Sequence, residues 1–404
     1  MHQRKEKDKT MIPEYYEFQS SAKILSGAFA LENIPVELDN LGCLRPLILS
    51  DRMLQKLGTL QVVLDALLSG GTEIGGIYTD IPADSSLEVV NRIGSYYKEN
   101  NCDGIVAVGG GSVIDTAKGA RMILSQHAGD IMEILGCESM KRGEQIPFIA
   151  IPTTSGTGSE STLVAVIKNE ARKLKMEFIS YYLQPDVAVL DVRMTETLPP
   201  RMTASTGMDA LCHAIEAYSC LQKNPLSDAY AISAVKMIGT YLEKAAANGK
   251  NKEARLAMAN ASMMAGAAFS NSMVGIVHAV GHALGGVCHI PHGDAMTVLL
   301  PYGMEYNLEK CRKEYGELLL YLAGDDIYSR TPAKERAEQL IREIRNIESR
   351  LHNVCGLPLS LKELGVKEED FQQAANTAVN DGAMIVNPRQ AGVGDILELL
   401  KQAY

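Results

Sequence analysis

The first half of the chain alternates short apolar runs with stretches of helical spacing. PLILS (Pro46 to Ser50) reads as a strand, Arg52 to Leu68 as a helix, Ile74 to Tyr78 as a strand, Ser86 to Glu99 as a helix and GIVAV (Gly104 to Val108) as a strand, a βαβαβ succession. GIVAV contains no polar side chain, the pattern of a strand covered on both faces, as in parallel sheets under crossover helices. Further strands are predicted at Pro147 to Ile151, Leu163 to Ile167 and Val187 to Leu190. After Thr197 the pattern changes. Leu198-Pro199-Pro200 punctuates the chain, and long helical periodicity follows, including the charged helix Pro332 to His352 and a loop around Gly356-Leu357-Pro358. With 404 residues, more than one hydrophobic core usually serves, the chain is expected to form two domains. These are an α/β domain over 1–199, whose first ten residues form a solvated tail, and an all-α domain over 200–404.

Composition narrows the class. Hydrophobic residues make up 46% of the chain, which excludes bulk disorder, and the net charge of −10 with no Lys/Arg-rich stripe excludes nucleic acid as a partner. Eight cysteines are scattered without a CxxC pair, so neither a disulfide framework nor a zinc ribbon is indicated, and a reducing cytoplasm fits. The leading MHQRKEKDKT has no apolar run behind its charges, unlike a secretory leader. From Leu256 to Gly293 there is no Asp, Glu, Lys or Arg, long enough for a membrane span by charge alone. The Asn, Ser, Gly, Ala and His content of that stretch points instead to packed helices with small residues at their contacts, and no membrane partner is expected.

Two glycine-rich loops follow predicted strands. Gly109-Gly110-Gly111-Ser112 comes directly after GIVAV and opens a helix, so bare backbone N–H groups and the positive end of a helix dipole face the same point. Taken alone it is also an ordinary tight turn, since the spacing is not GxGxxG. The second loop, Pro152 to Glu160 (PTTSGTGSE), offers hydroxyls and bare backbone at the same sheet end. Two such loops beyond the carboxyl ends of parallel strands mark a dinucleotide crevice. Asp51, closing the first strand of the unit, can accept from an NAD ribose 2′-hydroxyl and repel the 2′-phosphate of NADP. It can equally cap the helix that starts at Arg52.

Four of the eight histidines, His278, His282, His289 and His292, lie within a charge-free segment. His278 and His282 share one helix face, and His292 follows in the loop HIPHGD. Asp209 and His213 repeat the four-residue spacing upstream. Two helical faces and a loop can thus deliver one carboxylate and three imidazoles to one point, an O/N donor set suited to Fe(II) or Zn(II) and lacking the thiolates of a closed structural zinc site. Buried neutral histidines need partners, and a shared cation supplies them.

GGGSVIDTAK (Gly109 to Lys118), PTTSGTGSE, TGMDALCHAIEAY (Thr206 to Tyr218), HAVGHALGG (His278 to Gly286), IPHG (Ile290 to Gly293) and NPR (Asn387 to Arg389) together resemble the iron-containing, group III alcohol dehydrogenases, from about Phe18 to the C-terminus. The resemblance implies an N-terminal Rossmann-like dinucleotide-binding domain, a helical metal-binding domain, the overall architecture shared with dehydroquinate synthase, and an active site between the domains. It places the metal ligands on Asp209, His213, His278 and His292, and a further histidine near substrate and nicotinamide on His282. Cofactor contacts fall on Asp51, on Gly109, Gly110, Gly111, Ser112 and Asp115, on Thr153, Thr154 and Thr157, and on Lys175. A homo-oligomer, dimer or larger, is also implied.

The expected activity is hydride transfer between NAD(H) and a small primary alcohol or diol and its aldehyde, with one divalent metal, Fe(II) or Zn(II), polarising the substrate oxygen and His282 relaying the proton. A hydroxyacid-oxoacid transhydrogenase or a lyase on the same fold would change the chemistry. A metallohydrolase would leave the two glycine loops without a purpose.

Overall fold

The computed structural model describes residues 12–135, 141–170 and 174–404. Its strands are β1 (Lys23–Gly27), β2 (Pro46–Leu49), β3 (Gly76–Tyr78), β4 (Gly104–Gly109), β5 (Phe148–Pro152), β6 (Val164–Asn169), β7 (Leu174–Ile179) and β8 (Val187–Asp191). Six of them form one parallel sheet in the order β1-β8-β5-β4-β2-β3, while β6 and β7 pair antiparallel as a separate hairpin. Successive strand residues point to opposite faces, and both faces are covered. Leu47, Leu49, Ile105, Ala107 and Phe148 pack with Ile93 and Val113 from α4 (Leu87–Glu99) and α5 (Gly111–Ser125). On the other face, Ile48, Val106, Ile149 and Val187 meet Ile34, Leu60 and Val63 from α1 (Ile34–Asn40) and α3 (Thr59–Ser69). This two-sided burial is why the strands read as unbroken apolar runs.

The expected helix Arg52 to Leu68 is two helices, α2 (Arg52–Leu57) and α3. Gly58 between them takes φ +80°, a left-handed conformation open to glycine and costly for other residues. The strand expected at Leu163 to Ile167 exists but stands outside the parallel sheet. Its partner β7, whose apolar positions alternate with Lys175 and Glu177, was not anticipated, nor was β1, a partly exposed edge strand. The helix expected from Pro332 begins as a 3-10 turn (Ala333–Glu335) and continues as α12 (Arg336–Cys355). The segment 1–10, read as a solvated tail, lies outside the described residues.

The second half is helical: α6 (Pro200–Ser219), α7 (Pro225–Ala247), α8 (Lys252–Ser270), α9 (Ile276–Cys288), α10 (His292–Ala323), α11 (Asp325–Arg330), then α12, α13 (Phe371–Ala378) and α14 (Val393–Gln402). One continuous apolar core joins most of them. The charge-free stretch falls on α8 and α9, and among the described residues no helix is long and apolar enough to cross a membrane.

Helix α8 docks on the sheet domain through small groups. Ser161 Oγ donates to Met263 O (2.8 Å) and Leu163 N to Ser270 Oγ (2.9 Å). Gly158, at φ +60°, lies so close to α8 that a Cβ there would come within 2.6 Å of Gly266 Cα. A Cβ on Gly266 would in turn meet Gly158 O at 2.6 Å. The second glycine-rich loop therefore rests directly on a helix of the other domain. Gly266→Val is expected to lower stability by about 1–3 kcal/mol through overpacking, seen as a lower thermal midpoint. An unchanged midpoint would show that the contact is not tight.

Candidate metal centre and nucleotide crevice

Helix α6 presents Asp209 and His213 one turn apart, α9 presents His278, and His292 is the first residue of α10, after Pro291. Sequence placed His292 in a loop; it is the helix start. One ligand atom from each of these four residues lies within 4.8 Å of every other. Asp209 Oδ1 is 3.8 Å from His213 Nδ1, 3.8 Å from His278 Nε2 and 3.3 Å from His292 Nε2. A four-coordinate ion with bonds of about 2.1 Å separates its ligand atoms by about 3.4 Å, so these spacings suit one. Asp209, His213 and His278 are each no more than 5% exposed, whereas the His292 side chain keeps 38% of its surface open.

The donor set passes a stricter test of fit. Asp209 Oδ1, His213 Nδ1 and His278 Nε2 are buried without a hydrogen-bond partner. A native interior leaves few such atoms, and three converging on one point are accounted for by a cation. Burial alone would raise the Asp209 carboxyl, but the imidazoles, His213 foremost, hold it well below the usual carboxylate range. Burial pushes His213 down to about 3, which keeps its ring neutral and able to ligate. Phe269 stacks on His213 with centroids 4.3 Å apart. His289, the fourth histidine of the segment, is exposed and caps α9 in a left-handed conformation, away from the four-residue group.

His282 sits beside this group, its ring stacked on His292 at 5.5 Å and edge-on to His278 at 5.8 Å. Its Nδ1 lies 3.0 Å from Asp381 Oδ2. Burial works against a charged imidazole here, yet the hydrogen bond and charge of Asp381, helped by Glu177, raise His282 above its ordinary value. Asp381 was not anticipated. It lies 99 positions from His282, and no local pattern links the two. Glu216 was also missed, although its place three residues after His213 puts it on the ligand-bearing face of α6.

At the carboxyl end of the sheet the two glycine-rich loops touch. Thr153 N donates to Gly109 O (3.0 Å). A Cβ on Gly110 would meet Thr154 at 3.4 Å, and one on Gly111 would meet Thr157 at 3.0 Å. Gly110 is the N-cap of α5, so the first amides of that helix open toward the loops. Ser112 Oγ donates to Ala83 O. Asp51 Oδ1 accepts from Leu54 N at 2.8 Å, the capping role, at the end of β2. Asp115 accepts from Ser159 Oγ (2.6 Å) and Val166 N (3.0 Å), tying α5 to the second loop and to the hairpin. Lys175, on that hairpin, pairs with Asp84 at 2.9 Å.

A parallel sheet with two glycine-rich loops at its carboxyl end, joined to helices that gather three imidazoles and one carboxylate, has the parts of a metal-dependent dehydrogenase. Residues 21–192 match the family model for iron-containing alcohol dehydrogenase, and residues 203–404 match the C-terminal model of the Fe-containing alcohol dehydrogenase family. The chain belongs to the iron-containing alcohol dehydrogenase family and is an oxidoreductase. It is 37% identical over 379 residues to an NAD-dependent methanol dehydrogenase of Bacillus methanolicus, covering 93% of this chain and 97% of that protein. It is 35% identical over 383 residues to a sulfoacetaldehyde reductase of Bilophila wadsworthia, covering 95% and 97%. The crystal structure of a 1,3-propanediol oxidoreductase superposes with a TM-score of 0.92 at 33% identity, over 97% of this chain and 100% of that one.

Elemental analysis of active protein is expected to find one divalent ion per chain, and His278→Gln to lose metal and activity together. Active wild-type protein without a stoichiometric metal would contradict the site.

Proposed function

We propose that this protein transfers a hydride between NAD(H) and a small, uncharged primary alcohol or diol and its aldehyde, using one divalent ion held by Asp209, His213, His278 and His292. The observation that carries this reading is the meeting of the bare atoms Asp209 Oδ1, His213 Nδ1 and His278 Nε2 in the interior. Iron(II) is the first choice of ion and zinc(II) the alternative, since both accept imidazole and carboxylate donors. When bound, the ion supplies Lewis acidity toward a substrate oxygen and the nicotinamide gives or takes the hydride.

The chain's own groups do the rest. The amides after Gly110, with Gly109, Gly111 and Ser112, receive the pyrophosphate. Thr153, Thr154 and Thr157 line the other side, Asp51 meets the ribose, and Lys175 approaches from the hairpin. Asp115 serves the nucleotide by holding Ser159 and Val166 in place. With Nδ1 committed to Asp381, His282 exchanges the alcohol proton at Nε2. Val274, Ala279 and Ala383 pack with Phe269 and Met384 into an apolar cluster that reaches the metal ligands where Phe269 stacks on His213. That wall, and the acidic Asp381 and Glu177 near His282, favour an uncharged substrate over a hydroxy acid. A homo-oligomer follows from the family resemblance. Among the described residues no disulfide joins the seven cysteines, which supports a reducing cytoplasm.

The test is NADH oxidation by metal-reconstituted protein against a panel of neutral, carboxylated and sulfonated aldehydes. Turnover is expected with the neutral ones, and a preference for the charged ones would overturn the substrate class. Asp51→Gly should narrow the preference for NADH over NADPH about tenfold or more, because one close like-charge repulsion, worth about 1–4 kcal/mol, is removed. Equal wild-type use of both cofactors would refute that role. His282→Gln is expected to keep its metal while kcat falls about 10²- to 10⁴-fold. In Asp381→Asn, the carboxylate that raises His282 is gone, so the inflection due to His282 should move to lower pH. Metal loss in His282→Gln, or full activity, would remove His282 from proton transfer.

A further inference from the structure

Glu216 is 5% exposed and lies outside the four-ligand set. Its carboxylate accepts from Gly275 N (2.9 Å) and Val277 N (2.8 Å), with His278 N at 3.4 Å, and Oε2 is 2.6 Å from His278 Nδ1. We infer that Glu216 is a positioning residue of the metal centre, fixing the tautomer of His278 and anchoring the start of α9, the helix that carries both His278 and His282. This inference rests on the ligand assignment proposed above.

The backbone amides on Glu216 can only donate, and both carboxylate oxygens already accept from them. The ring nitrogen that approaches Oε2 therefore donates as well, which places the proton of neutral His278 on Nδ1. The lone pair is left on Nε2, the atom that faces Asp209 Oδ1 and has no partner in the protein. A carboxylate behind a ligating histidine also makes the imidazole a stronger donor and holds its plane. The first N–H groups of a helix have no intrahelical acceptor, and here Glu216 takes those of Gly275, Val277 and His278, while Asn387 Oδ1 takes that of Ile276 (3.0 Å).

Cys212 Sγ, Glu216 and His278 also lie close enough to suggest a second cation site. An ion there would have to displace the proton on His278 Nδ1 and compete with the α9 amides for the same oxygens, so this trio is read as support for the first centre.

Glu216→Gln replaces one accepting oxygen with an NH2 group that points at N–H donors. In chelator competition with Zn2+-loaded, full-length protein, Glu216→Gln is expected to weaken Zn2+ binding about 10- to 100-fold. Asn387→Ala removes a cap from the same helix without touching His278, and should lower the thermal midpoint while leaving Zn2+ affinity nearly unchanged. Equal weakening in both variants would reduce Glu216 to a helix cap, and unchanged affinity in Glu216→Gln would also overturn the inference. If that variant does not fold, nitrogen NMR of isotope-labelled histidine in Zn2+-loaded wild type decides the matter: a proton on His278 Nδ1 is expected, and a proton on Nε2 refutes it. Wild type that takes up no Zn2+ would instead bring down the ligand assignment, and this inference with it.

Discussion

Asp209 places an ionised oxygen inside a helical domain with no hydrogen-bond donor directed at it. Burying a carboxylate in this way costs several kcal/mol unless positive charge shares the space, and the helical half is arranged so that it does. Three helices converge on that oxygen, each contributing a residue at a fixed point: mid-helix on α6, one turn in on α9, and the first residue of α10. Burial holds the His213 and His292 rings toward their neutral forms, which makes them ligands in place of counter-charges. Much else follows from this requirement. The stretch from Leu256 to Gly293 brings His278, His282 and His292 to the centre without adding an Asp, Glu, Lys or Arg of its own, and the nearby carboxylates Glu216 and Asp381 come from elsewhere in the chain.

The sequence shows the parts of this arrangement that are local. Four-residue spacing exposes Asp209 with His213 and His278 with His282, because one helical turn brings them to a single face. Continuous apolar strands are legible because both sheet faces are covered. What escapes is long-range or conformational. Asp381 reaches His282 only through the packing of the C-terminal segment, and no periodicity relates them. The break at Gly58 was hidden because a glycine within a helical pattern does not announce a positive φ. The hairpin strand β7 mixes Lys and Glu with apolar residues and pairs away from the main sheet, so neither a buried-strand pattern nor a βαβ rhythm marks it. The resemblance puts a cofactor contact on Asp115, and in the structure its carboxylate accepts from Ser159 Oγ and Val166 N, links that no local spacing shows.

The two glycine-rich loops differ in how they are fixed. The first is the entry to α5, and its shape is set by the strand and helix on either side. The second has little regular structure and takes its position from what it touches: Gly109 through Thr153, α5 through Ser159, and α8 through Ser161. Helix α8 ends at Ser270, immediately after the aromatic ring that stacks on His213. The second half of this one helix thus touches the second glycine-rich loop at Met263 and Gly266 and the histidine cluster at Phe269.

The close approach of Gly158 to Gly266 bears on how such a protein can be recombined. The stretch between the two family matches, 193–202, looks like a natural place to join one parent's sheet domain to another's helices. The two glycines lie on opposite sides of that junction. A chimera keeps the cleft only if the helical parent also lacks a side chain at position 266, so the modular appearance of the fold conceals a steric agreement between the domains that must be inherited as a pair.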